Sequence, residues 1–273
     1  MRAVTKNSLR QVRHQIGSFV GIIVIVAVAV GFYAVMKTSA ISYRTSVEHY
    51  FATNKMPSAI LTGPGFTLSD QSRALSASGV RAAQVRANID ARRWGDTLRL
   101  QSYDTQDPRI NLPHIYEGRA PNGTSECLLL ARYAEANNLH VGDTITVSTN
   151  TFSDSCRVSG LATSPEHVYL AQNATTPIAD PSNFGILFVD TQFAMRNHLP
   201  FSELALLYDN TARDDTTLNA ATIAVGESKI IRTVKQADIY SYDAFRSDVG
   251  QFELFAYIFP IIFFIISASF FSE

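Results

Sequence analysis

Residues 16–36 form an unbroken apolar run of Ile, Val, Ala, Gly and aromatic side chains without one charge. At about 1.5 Å of rise per residue, some twenty such residues span a hydrocarbon layer of about 30 Å, which predicts transmembrane helix 1 over 16–36. The run is longer than the roughly 7–15 residues of a signal-peptide core, so an uncleaved anchor is expected. A second apolar run, 252–271, carries a single charge, Glu253, near its start, and a proline, Pro260, inside it. It predicts transmembrane helix 2, with Glu253 at headgroup level and a kink at Pro260.

Between these runs the pattern changes to short stretches rich in β-branched and large apolar residues, bounded by Gly, Pro, Asn or Asp. These predict strands at 58–62, 80–89, 97–102, 127–130, 144–148, 157–161, 184–189, 204–208 and 230–234. Helices are expected at three places: one capped by Thr67 or Ser69 and running to about Ser78, one over 132–138 and one over 190–196. Strands with scattered helices and no regular βαβ alternation indicate an α+β domain over 37–251. A division into two subdomains is expected, with 111–164 inserted as a small β-rich unit between 45–110 and 165–250. No internal repeat is evident.

Charge then fixes an orientation. Arg2, Lys6, Arg10 and Arg13 precede the first apolar run with no acidic residue among them, and positive residues beside a span stay cytoplasmic. Residues 1–15 are expected to form a basic amphipathic helix on the inner membrane surface, Leu9, Val12 and Ile16 toward lipid and the basic stripe toward anionic headgroups. Gly17 and Gly21 form a GxxxG pair suited to close helix approach. The central domain then lies outside the cell, and residues 272–273 return to the cytoplasm without a basic stop signal, as though the natural polypeptide continued. The overall charge of −1 gives no basic field for nucleic acid. Cys127 and Cys156 would meet an oxidising exterior, where they either bridge or persist as two buried thiols.

From Asn111 onward the chain carries Glu117-Gly118-Arg119-x-Pro121 before a turn, Glu126 opening a strand, Gly142-Asp143 before another strand, and Gly160 leading to Ser164-Pro165-Glu166. In this order, between two apolar runs, these elements resemble the extracellular core domain of FtsX-like (MacB-like) permeases of ABC transporters. Each reads as structural: the glycines supply turns or close backbone approach, Pro121 fixes φ, and Arg119 and Asp143 pair locally. The resemblance implies a permease subunit in a bacterial cell membrane, coupled to ATP hydrolysis on a separate ATPase subunit, with a second permease copy or homologue and membrane lipids as partners. Peptides, lipids or lipoproteins are the implied substrates. Such permeases usually have four spans, and the last two fall outside this sequence. A different reading keeps the topology and drops transport: a doubly anchored sensor or scaffold that regulates a cell-wall enzyme or binds a peptide.

Other chemistry finds little footing. His49, His114, His140, His167 and His198 accompany neither a GxSxG elbow nor an HExxH helix, so no catalytic residues are assigned. Asp104, Asp107, Asp143, Asp154 and Asp180 follow no calcium-loop spacing, and without GxxxxGK[ST] no ATP site is expected in the chain itself. Trp94, in a basic cluster, is expected in a turn with its ring half-buried. Asn122-Gly123-Thr124 and Asn173-Ala174-Thr175 match glycosylation sequons and are read as coincidence.

Overall fold

The computed structural model describes residues 2–172, 178–209 and 214–269, apart from the side chains of 2–19, 22, 264 and 267–269. Two compact units emerge, residues 1–49 with 245–273, and residues 50–244.

The first unit consists of most of two long helices, α1 (Arg2–Thr53) and α6 (Tyr240–Ser269). Both overrun the apolar stretches that announce them, because the flanking sequence contains good helix formers and no proline before Pro57. The helices thus extend beyond the expected spans, α1 on both sides of 16–36 and α6 before 252, and 1–15 continues the helix of α1. The side chains of Arg2, Lys6, Arg10 and Arg13, together with residues 270–273, lie outside the described residues. The two helices run antiparallel, with Phe32 against Phe259 (4.7 Å between centroids), Tyr33 against Tyr257 and Tyr43 against Phe245 and Phe252. Glu253 accepts a hydrogen bond from Arg44 at 2.9 Å and lies 3.7 Å from Lys37 Nζ. Pro260 sits within α6.

The second unit contains two sheets. In the first, β1 (Ala59–Thr62), β2 (Val80–Arg86), β10 (Glu203–Tyr208) and β11 (Arg232–Lys235) lie in the order β11-β1-β10-β2, with every neighbour antiparallel. Helix α2 (Leu68–Leu75) links β1 to β2 and α5 (Asp214–Val225) links β10 to β11. This is the split βαβ arrangement of ferredoxin-like folds, interrupted between its second and third strands. Ala74, Leu218, Ala221 and Val225 of the helices pack on Leu61, Ala83, Val85, Leu204 and Leu206 of the sheet, and Ile110 covers Ala82 and Ala205 on the other side. Thr67 caps α2 through a reciprocal capping box with Asp70. Fully buried Asp70 also accepts from Arg73 and, at 2.8 Å, from Lys229 Nζ.

The interruption folds as the second sheet: β3 (Asn88–Arg93), β4 (Asp96–Tyr103), β5 (His114–Gly118), β6 (Glu126–Leu130), β7 (Thr144–Ser148), β8 (Ser153–Thr163) and β9 (Phe184–Asp190), ordered β5-β8-β6-β9-β4-β3-β7. Because β7 pairs with β8 along its length and meets β3 at Arg92↔Ser148, the sheet curls into a barrel whose seam is a single residue pair. Leu98, Leu100, Leu128, Leu129, Ile145, Val158, Leu187 and Phe188 belong to the buried core built around it, consecutive residues of one strand facing opposite sides of the sheet. Strands 88–103 and 184–190 thus belong with 111–164, so the inserted unit is larger than expected. The expected strand 80–89 divides at Ala87, where the chain leaves one sheet for the other. Strand β5 and helix α5 escape the periodicity argument because β5 is exposed at four of its five positions and α5 is rich in threonine.

A repeat unseen in the sequence appears here. Strand β6 leads into α3 (Ala131–Ala136) as β9 leads into α4 (Thr191–Arg196). Tyr133, Ala134, Asn137, Asn138 and Leu139 correspond to Phe193, Ala194, Asn197, His198 and Leu199. Asn137 and Asn197 each donate Nδ2 to the carbonyl four residues back, at 3.1 Å. Asn138 and His198 hold φ near +55°, at 56° and 53°, and the next N–H bonds the carbonyl five residues back at 2.9 Å in both, a Schellman ending. Helix α1 stops in the same way, with Lys55 at φ 52° and Met56 N–H on Phe51 O at 2.9 Å.

Candidate functional site

The most heavily built polar feature of the second unit lies where the chain passes between the sheets. Arg86 ends β2 and Glu203 opens β10, and the two are cross-strand partners. Glu166 comes from the 3-10 turn Pro165–His167 after β8. The Arg86 guanidinium clasps Glu166 in bidentate fashion, at 2.6 and 2.7 Å, and donates Nε to Glu203 at 2.7 Å. Burial works against the Arg86 charge, and the two carboxylates outweigh it and raise its pKa. Asn88 Nδ2 donates to the second Glu203 oxygen at 2.7 Å. Asn111 Nδ2 donates to Gln101 Oε1 at 3.1 Å, and the Glu166 N–H to Asn111 Oδ1 at 3.3 Å. Ser241, in the first turn of α6, donates to the Glu166 carbonyl at 2.8 Å and accepts from Tyr169 N–H at 3.1 Å. One buried network thereby ties both sheets to the first turn of α6. Apart from the buried Asn88 Oδ1, which has no partner among the described residues, these polar groups are held by fixed partners, so the arrangement clamps segments together and places no nucleophile beside a base.

His167 adjoins the clamp, buried, 6.0 Å from the Phe188 ring. Burial first, then the Arg99 and Arg86 charges, pushes its imidazole from 6.5 down to about 3, against a smaller opposing pull from Glu203. It is a neutral core residue, whereas His49, His114, His140 and His198 are exposed.

The residues singled out by sequence fall into five local groups. Gly118 (φ 79°) faces Gly160 across the β5–β8 ladder, and a Cβ on Gly118 would stand 2.3 Å from Ser159 O. Arg119 pairs with Glu126 at 2.7 and 2.5 Å, Glu126 also takes the Asn122 N–H at 2.8 Å, and Pro121 is buried in the same turn. Gly142 (φ 104°) and Asp143 hold the β7 entry: Gly142 N–H bonds Val158 O, and Asp143 accepts from His140 N–H, each at 2.8 Å. Cys127 and Cys156 are joined as a disulfide between β6 and β8. Ser164 and Pro165 set up the turn that presents Glu166. Two expectations need adjustment. The Trp94 ring occupies the expected turn between strands, yet it is 91% exposed and stacked by Arg93 (4.5 Å) rather than half-buried. Asn173-Ala174-Thr175 lies outside the described residues. Arg86, Glu203, Gln101 and Ser241 were not legible as a site; the only hint was an arginine at an inward position of an apolar strand.

No family model and no curated protein sequence matches the chain. Two solved domains are similar to it. One is the extracellular domain of the noncanonic ABC-type transporter YknZ from Gram-positive bacteria, at 12% identity and TM-score 0.45, covering 62% of this chain and 92% of that one. The other is the periplasmic region of MacB from Actinobacillus actinomycetemcomitans, at 11% identity and TM-score 0.45, covering 70% and 91%. Among the described residues, one helical stretch is long and apolar enough to cross a membrane, Ile23–Thr53, with mean hydropathy 1.9.

Proposed function

We propose that this chain is the membrane-anchored part of an ABC transporter permease, with α1 and α6 crossing a bacterial cell membrane and residues between them folded outside. A separate ATPase subunit supplies the energy, and the outer domain passes the resulting helix movement on to the handling of a peptide, lipid or lipoprotein. The observation that carries this reading is the clamp: Glu166, from the segment on which the permease resemblance rests, is fixed at once to both sheets and to Ser241 at the start of α6. A buried ion network of this kind gives definite geometry at the expense of stability, which suits a part that transmits displacement. The disulfide supports an oxidising compartment.

The test uses the full gene product in nanodiscs with its candidate ATPase and spin labels at exposed Asp90 and Glu227. ATP with vanadate is expected to change the label separation, and Arg86→Met to uncouple that change while ATP hydrolysis persists. Absence of any ATPase association, with the domain still outside the cell, would favour the anchored sensor or scaffold.

A further inference from the structure

Asn122 and Gly123 stand exposed in the connection between β5 and β6. The main chain is tied down on either side of them. Asn122 gives its own N–H to Glu126 at 2.8 Å, and Thr124 Oγ1 accepts from Arg196 at 2.8 Å. Between these ties neither the Gly123 N–H nor the Asn122 carboxamide has a partner among the described residues. Gly123 holds φ at 83°, and a Cβ built on it would meet nothing within 4 Å. Its nitrogen is therefore free of hydrogen bonding and unshielded by a side chain of its own.

Other asparagines of the chain are placed differently. The residue after Asn54, Asn111, Asn138, Asn183 or Asn197 gives its N–H to a carbonyl at 2.9–3.2 Å. After exposed Asn150, the Thr151 N–H goes to Thr149 Oγ1 at 3.2 Å. Asn88 and Asn219 lie inside β3 and α5, where the main chain is fixed. Each of these is also followed by a residue with a side chain.

We infer that Asn122 is a self-modifying site, its carboxamide converted to a carboxylate by the neighbouring backbone nitrogen and water. The Gly123 amide proton passes to solvent base, and the nitrogen attacks Asn122 Cγ. The Gly123 N–Cγ bond forms, the Cγ–Nδ2 bond breaks, and the nitrogen leaves as ammonia after taking a proton from solvent. Water then opens the cyclic imide at either carbonyl. Opening at Cγ leaves aspartate. Opening at the main-chain carbonyl routes the backbone through Cγ, one methylene longer. Water is the only co-reactant, and no electrons are transferred. The new carboxylate arises close to Glu126, which already accepts from Arg119 and from the Asn122 N–H, so like charges meet in this turn. The inference requires neither a membrane nor transport.

The test uses the full purified chain, aged in mildly alkaline buffer, then reduced, alkylated and digested with trypsin for mass spectrometry. Cleavage after Arg119 and Arg132 releases residues 120–132, in which Asn122 is the only side-chain amide. The next peptide, 133–157, carries Asn137, Asn138 and Asn150 as internal references. Freeing one backbone hydrogen bond corresponds to up to about tenfold in rate. Asn122 is therefore expected to gain the mass of an amide-to-acid exchange about tenfold or more faster than the references. Part of the product should accept a methyl group from an isoaspartyl methyltransferase. Gly123→Val should slow the conversion, and Asn122→Gln should abolish it. In urea the references lose their bonds, so the gap should narrow. Conversion of Asn122 no faster than that of Asn150 in the same wild-type sample overturns the proposal, and this comparison within one chain holds even if a variant fails to fold. A gap unchanged by urea overturns the role given to the free Gly123 N–H.

Discussion

Acidification should destabilise the unit of residues 50–244 through His167. Its imidazole titrates near 6.5 when unfolded and is pushed down to about 3 when folded, so the unfolded chain takes up a proton that the folded one refuses. Stability from this group is complete above the unfolded value and is lost as pH falls below it. Between pH 7 and pH 5 the linkage amounts to about 2 kcal/mol, approaching about 1.4 kcal/mol per pH unit at the acid end. That is a substantial part of the ~5–15 kcal/mol that holds an ordinary domain folded. Urea unfolding of residues 50–244, the compact unit, would be followed by circular dichroism, because the exposed Trp94 ring reports poorly on folding. The midpoint of the wild-type domain should fall across this range, and His167→Gln should flatten the dependence. A flat wild-type profile, or an unchanged slope in the variant, would refute the reasoning.

Asp70 governs a separate and more acidic window. Burial pushes its carboxyl up, but the Lys229, Thr67 and Arg73 hydrogen bonds outweigh burial and hold it well below the usual carboxylate range. Its contribution is therefore present above about pH 4 and fades as pH falls further; Asp70→Asn should cost about 1–3 kcal/mol at pH 7 and remove that acid limb. Arg86→Met strands two carboxylates and should cost about 3–5 kcal/mol, measured by the same urea transitions. Replacing Cys127 and Cys156 by serine opens a link of sequence separation 29, with an expected loss of about 3–4 kcal/mol on the loop-entropy scale; thermal melting with and without reductant compares the two states. Gly118→Ala adds a Cβ against Ser159 O at a positive φ, and a loss of about 1–3 kcal/mol is expected.

Local chemistry was the most legible part of this fold. Thr67, one of two candidate caps, announced α2, and Glu117-Gly118-Arg119 and Gly142-Asp143 announced turns, because each acts within a few residues of itself. The barrel was hidden for the opposite reason. Its parallel pairs β4–β9 and β6–β8 join residues far apart in sequence, and nothing in a strand's own pattern names its neighbour. The β6–α3 and β9–α4 repeat escaped notice because it rests on five correspondences in a short stretch, three of them identical (Ala134 with Ala194, Asn137 with Asn197, Leu139 with Leu199), too few to stand out as a sequence repeat. The clamp was illegible for the same reason as the barrel: Arg86, Glu166 and Glu203 are brought together only by the crossing between sheets.

The proposed display of residues 50–244 outside a membrane crossed by α1 and α6 can be checked on intact cells. Glu227→Cys places a thiol on an exposed turn, the two native cysteines being bridged. A membrane-impermeant maleimide should label this variant before any permeabilisation. Labelling that appears only after lysis would contradict the account.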